Sequence, residues 1–253
     1  NQRCLALQFF FSQEVYKTCI SKGHGNASLS ATPLRRHSRD IDIWLNGNTS
    51  QILSLLKKRG ILLELGYHHA EISIFKDVKV EVHYRPIWLN SPYRNHFLQR
   101  WFKTQSLSQL KDNTGILNFP DTSFNVVYQL VHIFNHFLQE GIGLRQIIDY
   151  YYVLMNCCDR GMTPVIHKIG LEKFAGAIMY VMKVVFNIPA SKMICDLKEK
   201  EGRFLLEEII RSGDFGRFDE RNTELMSKKG LIRKVYQIKR GFRYLKYYPE
   251  EVL

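Results

Sequence analysis

Long apolar runs are missing from this 253-residue sequence, although 45% of its residues are hydrophobic. A membrane-spanning helix needs about 20 consecutive apolar residues, and the longest candidate, 174-FAGAIMYVMKVVF-186, is shorter and contains Lys183. The apolar segment 5-LALQFFF-11 lacks the basic flank and the small-residue cleavage site of a secretory signal. We therefore expect a globular, cytoplasmic protein without a membrane span.

Cysteine is scarce, and its spacing matches neither a disulfide framework nor a zinc site. The five cysteines are an odd number, no C-x-x-C occurs, and the neighbours Cys157 and Cys158 are poorly placed to pair with each other. A reduced intracellular protein without a structural zinc site is therefore expected. Internal repeats and proline- or serine-rich linkers are also missing, so a domain division has to show itself as a change of periodicity.

Acidic residues are too few to balance the basic ones. Lysine and arginine number 36 and aspartate and glutamate 24, which leaves a net charge of +12 and favours anionic partners. Part of the excess lies in 228-KKGLIRKVYQIKRGFRYLKYY-248, where basic and apolar residues alternate. This segment is either a basic face for nucleic acid or anionic lipid, or a surface helix that packs its apolar side on the protein.

Hydrophobic periodicity changes from two to about 3.6 residues along the chain. Alternation predicts strands at 40-DIDIWL-45, 71-EISIF-75 and 78-VKVEVHYR-85, the last two joined as a hairpin by Lys76-Asp77. Amphipathic patterns predict helices over residues 5–20, 49–59, 122–139, 144–154, 171–186, 203–211 and 230–248. We therefore expect an α+β fold, with a mixed β-sheet and flanking helices followed by a mostly α-helical C-terminal half.

Asp40 and Asp42 are two residues apart on a predicted strand, so their side chains leave the same face, about 7 Å apart at the backbone. A divalent cation commonly relieves the repulsion between two such carboxylates. Glu81, on another predicted strand, is a candidate third ligand, and three carboxylates suit ions that bind a triphosphate. An isolated D-x-D pair is nevertheless more often the solvent-facing start of a strand.

Two features upstream of this pair suit phosphate binding. The segment 22-KGHGN-26 has small residues that let backbone N–H groups approach phosphate oxygens, and Lys22 can neutralise a phosphate. Arg35, Arg36 and Arg39 offer guanidinium groups to a triphosphate. An ordinary glycine turn and a solvated basic loop are the alternative interpretations.

Several ordered motifs give these residues a context. They are 22-KGHGN-26, 33-PLRR-36, 40-DIDIWL-45, 81-EVHYRP-86 and 141-GIGLRQIID-149. Together they resemble an uncharacterised bacterial nucleotidyltransferase family of the DNA polymerase beta-like nucleotidyltransferase superfamily, over most of residues 20–190. The resemblance implies a nucleotidyltransferase-like catalytic domain at residues 1–115 and a helical domain at residues 116–253.

The resemblance also implies roles for single residues. Asp40, Asp42 and Glu81 would be catalytic metal ligands for Mg²⁺ or Mn²⁺, with an NTP such as ATP as the substrate. The residues implied in nucleotide binding are Lys22, Gly23, Gly25, Asn26 and Arg36. The sequence departs from the family pattern at Arg39, where glycine is usual, and at Glu81, where many members have aspartate.

Histidines in the helical half are candidates for the acceptor cleft. His132 and His136 lie four residues apart and share a helix face, but the motif lacks the glutamate of H-E-x-x-H, so zinc is not expected. We predict that they line the cleft together with His83 and Arg145, although Arg145 can equally pair with Asp149.

The sequence therefore predicts a Mg²⁺-dependent enzyme that moves a nucleoside monophosphate from an NTP to an acceptor and releases pyrophosphate. The acceptor would be a small molecule, a protein or an RNA, and the basic C-terminal helix is a candidate nucleic-acid contact. The alternative is a catalytically silent module that binds nucleotide or nucleic acid on the same scaffold, with Arg39 compensating the carboxylates in place of a metal.

Overall fold

The computed structural model describes residues 2–30, 38, 40–157, 161–213, 216–221 and 231–252. Two compact units divide the chain: residues 1–88 with 99–124, and residues 89–98 with 125–253. Several residues singled out from the sequence lie outside the described ones: Pro33, Leu34, Arg35, Arg36, Arg39 and Cys158. The domain division at residue 115 stays a prediction.

One mixed sheet forms the centre of the first unit. Its strands are β1 (Thr18–Ser21), β2 (Asp40–Leu45), β3 (Leu62–Leu65), β4 (His69–Ile72) and β5 (Lys79–His83). Their order across the sheet is β1-β2-β5-β4-β3, with β2 and β5 parallel and the other pairs antiparallel. Strands β2 and β5 therefore lie inside the sheet, each with a neighbouring strand on both sides.

Three helices belong to the first unit alone: α1 (Gln2–Gln13), α2 (Lys22–Leu29) and α3 (Thr49–Lys58). The alternation predicted for β2 is present, because Ile41, Ile43 and Leu45 join one hydrophobic core. On the opposite face Trp44 stacks on Phe124, with ring centroids 5.6 Å apart. Asp42 lies between Ile41 and Ile43 along β2, with its side chain on the face opposite to theirs.

The rest of the described chain is helical, which confirms the predicted α+β class. The remaining helices are α4 (Pro92–Gln109), α5 (Thr122–Gln139), α6 (Leu144–Asn156), α7 (Thr163–Lys168), α8 (Glu172–Phe186), α9 (Glu199–Ser212), α10 (Leu231–Tyr244) and α11 (Pro249–Val252). None of the helices in the described part of the chain is long and apolar enough to cross a membrane.

The buried side chain of Glu251 ties the last described helix to an early segment of the second unit. The backbone N–H groups of Asn90 and Ser91 donate to Glu251 Oε2 at 2.7 and 3.2 Å. The Asn90 amide also donates to the Glu251 carbonyl at 2.8 Å. Glu251 is 2% exposed, so its carboxylate supplies acceptors that these N–H groups would otherwise lack.

The N-terminal elements differ from the predicted ones. The helix predicted over residues 5–20 ends at Gln13, because Val15 adopts a left-handed φ of 64° that a helix cannot continue. Thr18–Ser21 is instead the fully buried strand β1. Likewise, 22-KGHGN-26 is not a turn between elements but the first part of α2.

The predicted hairpin turn at Lys76-Asp77 is too short. Pairing ends at Ile72 opposite Val80, so a longer loop joins β4 to β5. Strand β3, which was not predicted, pairs with the other side of β4. Its residues from Leu63 to Leu65 are exposed, so they lack the alternation that marks a half-buried strand.

Helix α10 does not bury its apolar stripe, contrary to the interpretation that its apolar side packs on the protein. Val235, Ile238 and Phe242 are 49%, 61% and 62% exposed, whereas Arg240 and Tyr244 are fully buried. The reason is an ion pair: Arg240 Nη1 lies 3.3 Å from the buried Asp219 carboxylate. A buried charge needs its counter-ion, and this pair determines which face of the helix turns inward.

A network of acids and bases surrounds this pair. Arg221 donates two hydrogen bonds of 2.9 Å to the carboxylate of Glu208 and also pairs with Asp219 at 2.7 Å. The Tyr244 hydroxyl donates to Glu208 Oε2 at 3.0 Å. Burial raises the pKa of Asp219, but the hydrogen bonds and charge of Arg221 outweigh it, so the pKa lies below its ordinary value.

We expect Asp219→Asn to lower the free energy of unfolding by about 3–5 kcal/mol, because Arg240 would stay buried without its counter-ion. Chemical denaturation at neutral pH measures this change. The control is Glu199→Gln, which breaks the exposed Glu199–Arg203 pair and should cost less than about 1 kcal/mol. Equal effects of the two substitutions would contradict the argument.

The lowered pKa of Asp219 also predicts a pH dependence. Because the folded pKa lies below the unfolded one, the stabilisation is present above the unfolded value and lost as the pH falls through the folded one. The free energy of unfolding should fall on acidification below about pH 4. Denaturation across this range should give a shallower slope for Asp219→Asn than for the unmodified chain.

Candidate active site

The parallel pairing of β2 with β5 brings the predicted carboxylates together. Asp42 has Glu81 as its Cα partner, and Asp40 has Lys79. Cross-strand partners and residues two apart leave the same face of a sheet, so the three acids share one face. Asp42 is 1% exposed on an interior strand. Its interpretation as a solvated strand edge is therefore wrong.

Lys22 places its ammonium group between two of these carboxylates. Its Nζ lies 2.6 Å from Asp42 Oδ1 and 3.7 Å from Glu81 Oε2. Lys22 is the first residue of α2 and follows Ser21, the Cα partner of Asp42 in β1. Its φ of 49° lies in the left-handed region, which is uncommon for a residue other than glycine. The backbone thus adopts a strained conformation where the ammonium meets the carboxylates.

His83 contacts the same carboxylates from β5. Its Nε2 lies 2.9 Å from Asp42 Oδ1 and 3.5 Å from Lys22 Nζ. An ammonium only donates and a carboxylate only accepts, so the shorter contact assigns the Nε2 proton to a hydrogen bond donated to Asp42. Nδ1 of His83 is buried and has no hydrogen-bond partner in the described part of the chain. His83 therefore orients Asp42, and its role in an acceptor cleft stays a prediction.

The acids differ in how readily they ionise. Burial raises the pKa of Asp42, but the Lys22 ammonium and the His83 hydrogen bond outweigh it and lower the pKa. The pKa of Glu81 is also lowered, because the His83 imidazole and Lys22 overcome the effect of burial. The pKa of Asp40 is raised, first by burial and then by the charges of Asp42 and Glu81. Two ionised carboxylates thus lie beside a third that retains its proton more readily.

The glycines of α2 allow close packing next to the carboxylates. A Cβ on Gly23 would lie 2.1 Å from Ser38 Oγ, and one on Gly25 would lie 3.4 Å from the Ile20 carbonyl oxygen. Ser38 in turn donates to the Asp40 carbonyl at 2.8 Å. Gly23 therefore has a packing reason in the protein itself, namely the approach of Ser38.

The structure gives the positions of most residues predicted to bind nucleotide. Gly23, Gly25 and Asn26 are buried residues of α2, the helix that begins with Lys22. Arg36 lies outside the described residues. The assignment of these residues to a triphosphate stays a prediction.

The other predicted cleft residues belong to the second unit. The rings of His132 and His136 are 4.4 Å apart, and His136 Nδ1 lies 3.4 Å from Glu140 Oε2. Arg145 is exposed at the start of α6. Their part in binding an acceptor stays a prediction.

The donor set fits a divalent cation of the kind the predicted chemistry requires. Single ligand atoms of Asp42, Glu81 and His83 lie within 4.8 Å of one another, and carboxylate oxygens are preferred ligands of Mg²⁺ and Mn²⁺. The Lys22 ammonium lies among the same atoms, so the surroundings already favour positive charge. In the described residues Asp40 belongs to no such group of three, although it lies on the same face.

Comparisons with known proteins identify the family of the chain. A family model described as an uncharacterised nucleotidyltransferase matches residues 5–187. An antigenic nucleotidyltransferase-like protein from Paracoccidioides brasiliensis is similar in structure with a TM-score of 0.46 and 11% identity, over 80% of this chain and 95% of that one. The CCA-adding enzyme of Thermotoga maritima, complexed with tRNA, gives a TM-score of 0.28 and 13% identity, over 99% and 72%. No curated protein matches the chain.

We expect Lys22→Met to lower the free energy of unfolding by about 3–5 kcal/mol at neutral pH, because it leaves buried carboxylates without their cation. Mg²⁺ or Mn²⁺ should then raise the Tm of the variant more than that of the unmodified chain, since the ion takes over the same charge. Thermal unfolding with and without the ion measures both effects.

The control is Lys79→Met, whose side chain is 46% exposed and whose loss should cost less than about 1 kcal/mol. An equal response of the Lys22→Met variant and the unmodified chain to the cation would contradict the idea that lysine and metal occupy the same place.

Proposed function

The chain belongs to the uncharacterised nucleotidyltransferase family, and we propose that it transfers a nucleoside monophosphate from an NTP to an acceptor and releases pyrophosphate. One observation carries the proposal: the interior strands β2 and β5 align Asp42 with Glu81, with Asp40 on the same face. A protein interior has little reason to bury two carboxylates side by side unless a positive charge is bound between them.

Asp42 and Glu81, with Asp40 beside them, would hold Mg²⁺ or Mn²⁺. When bound, such an ion neutralises charge on the phosphoryl oxygens and lowers the pKa of an attacking hydroxyl. His83 keeps Asp42 in place through the hydrogen bond from Nε2. Because this bond occupies one lone pair of Oδ1, the other oxygen of Asp42 keeps its orientation toward a ligand.

Lys22 would also bind the triphosphate of the substrate. Its ammonium is paired with Asp42 and Glu81, and a triphosphate offers it an anionic partner of the same kind. The helix α2 that begins at Lys22 adds the favourable dipole of a helix N-terminus. We therefore place the triphosphate at the start of α2, with Gly23 and Asn26 next to it.

The proposal predicts that Asp42→Asn lowers transfer of label by about 10²-fold or more, the scale on which loss of one electrostatic group lowers kcat. The unmodified chain and the variant are incubated in cell extract with Mg²⁺ and each NTP labelled at the α-phosphate. The labelled product identifies the acceptor as a small molecule, a protein or an RNA. The matched control is Asp77→Asn, an exposed aspartate paired with Arg3, which should keep full transfer.

A second candidate function is binding of nucleotide without catalysis. The supporting observation is the Lys22 ammonium, which already neutralises Asp42 and Glu81 without a metal. Under this candidate no NTP transfers label to any molecule. Binding of nucleotide or nucleic acid would persist in Asp42→Asn, with nucleic-acid binding falling steeply as salt rises.

A further inference from the structure

A second set of metal-binding side chains lies on the β4–β5 hairpin. Strand β4 contains His69 and Glu71 two residues apart, and β5 contains Glu81 and His83 in the reverse order. The antiparallel register places His69 opposite His83 and Glu71 opposite Glu81. Residues two apart and their cross-strand partners leave the same face. The hairpin thus presents two imidazoles and two carboxylates as neighbours.

The distances show that these donors converge. Single ligand atoms of His69, Glu71 and Glu81 lie within 4.8 Å of one another. Glu81 Oε2 is 4.0 Å from His69 Nε2 and 3.6 Å from His83 Nε2. The side chains of His69, Glu71 and Glu81 are 21%, 23% and 13% exposed, so an ion from solvent can reach them and still lose much of its hydration.

A contact with the neighbouring histidine orients the ring of His69. Nδ1 of His69 lies 3.0 Å from Nε2 of His68, a contact that holds the ring with Nε2 toward Glu81. Metal-ligating histidines commonly use one nitrogen for the ion and the other for such an orienting contact.

Glu71 and Glu81 directly oppose each other, an arrangement that destabilises a sheet unless a cation is present. Lys79 supplies one: its Nζ lies 2.5 Å from Glu71 Oε1 and 3.2 Å from Glu81 Oε1. The Lys79 side chain is 46% exposed and flexible, so it can turn to solvent when another cation arrives. The Lys79 ammonium thus occupies the position between Glu71 and Glu81 that a bound metal ion can take.

We propose that His69, Glu71 and Glu81, with His83 at their side, form a site for a divalent transition-metal ion such as Zn²⁺. Imidazole ligands favour Zn²⁺ and its neighbours in the first transition series, whereas Mg²⁺ prefers oxygen and water ligands in octahedral geometry. The site rests on the proposed function through Glu81 and His83, which it shares with the site of Asp42.

The test measures Zn²⁺ retained by the purified full chain after equilibrium dialysis with Mg²⁺ in large excess. We expect one Zn²⁺ per chain that Mg²⁺ does not displace. His69→Ala and Glu71→Gln should each weaken Zn²⁺ binding at least tenfold, and Lys79→Met should strengthen it by removing the competing ammonium. The control Asp77→Asn removes an exposed carboxylate between β4 and β5, paired with Arg3, and should change nothing.

Three outcomes would overturn the site. They are displacement of all Zn²⁺ by Mg²⁺, full Zn²⁺ binding by both His69→Ala and Glu71→Gln, and an equal loss in Asp77→Asn. Thermal unfolding checks that each variant is folded, and Glu71→Gln, which is nearly isosteric, carries the test if His69→Ala unfolds.

Asp42→Asn separates the two proposals: it should abolish Mg²⁺-dependent NTP binding and keep the Zn²⁺. Loss of Zn²⁺ in Asp42→Asn but not in Glu71→Gln would place the ion at the catalytic carboxylates instead.

Discussion

A carboxylate buried inside a β-sheet has to be neutralised, and Asp42 imposes this requirement on the first unit. Its 1% exposure follows from the position of β2 between β1 and β5. Burial alone favours the protonated acid, so the ionised form depends on Lys22 from α2 and His83 from β5. Three elements distant in sequence are therefore held together by one charge, and each partner is costly to lose because the others stay buried.

The backbone around Lys22 follows from the same requirement. Ser21 ends β1 opposite Asp42, and the chain passes into α2 within one residue. Only an abrupt change of direction keeps the ammonium above its carboxylate, and the left-handed φ of Lys22 provides it. Gly23 comes next because Ser38 occupies the space that a Cβ would need. Strain at Lys22 thus goes with the ion pair to Asp42, and the glycine at the next position goes with Ser38.

The sequence reveals the parts of this site that depend on local pattern. The alternation around Asp40 and Asp42 predicts a strand with both acids on one face, and Glu81 stands in a second alternating run. The parallel register that aligns Asp42 with Glu81 is a long-range property, so spacing along the chain does not predict it. The ammonium of Lys22 reaches Asp42 for the same reason, twenty residues along the chain.

Other features could not be predicted from the sequence because a competing interaction determines them. The apolar stripe of α10 predicts burial of Val235, yet the ion pair of Arg240 with Asp219 turns that stripe outward. On β4, His69 and Glu71 suggest a metal site only when they lie opposite His83 and Glu81 of β5. The antiparallel register places them there. Hydrophobic periodicity therefore predicts most helices of the second half, whereas buried charges require the three-dimensional structure.

The bond between Glu251 and the backbone of Asn90 and Ser91 has a consequence for the order in which the chain acquires its structure. Residues 89–98 belong to the second unit but are made before residues 99–124, which complete the first. Once residue 124 has been synthesised on the ribosome, the first unit has all its residues. The segment of residues 89–98 still lacks Glu251, to which its backbone will bind. Since domains fold as they emerge, the N–H groups of Asn90 and Ser91 stay bonded to water until Glu251 has been synthesised.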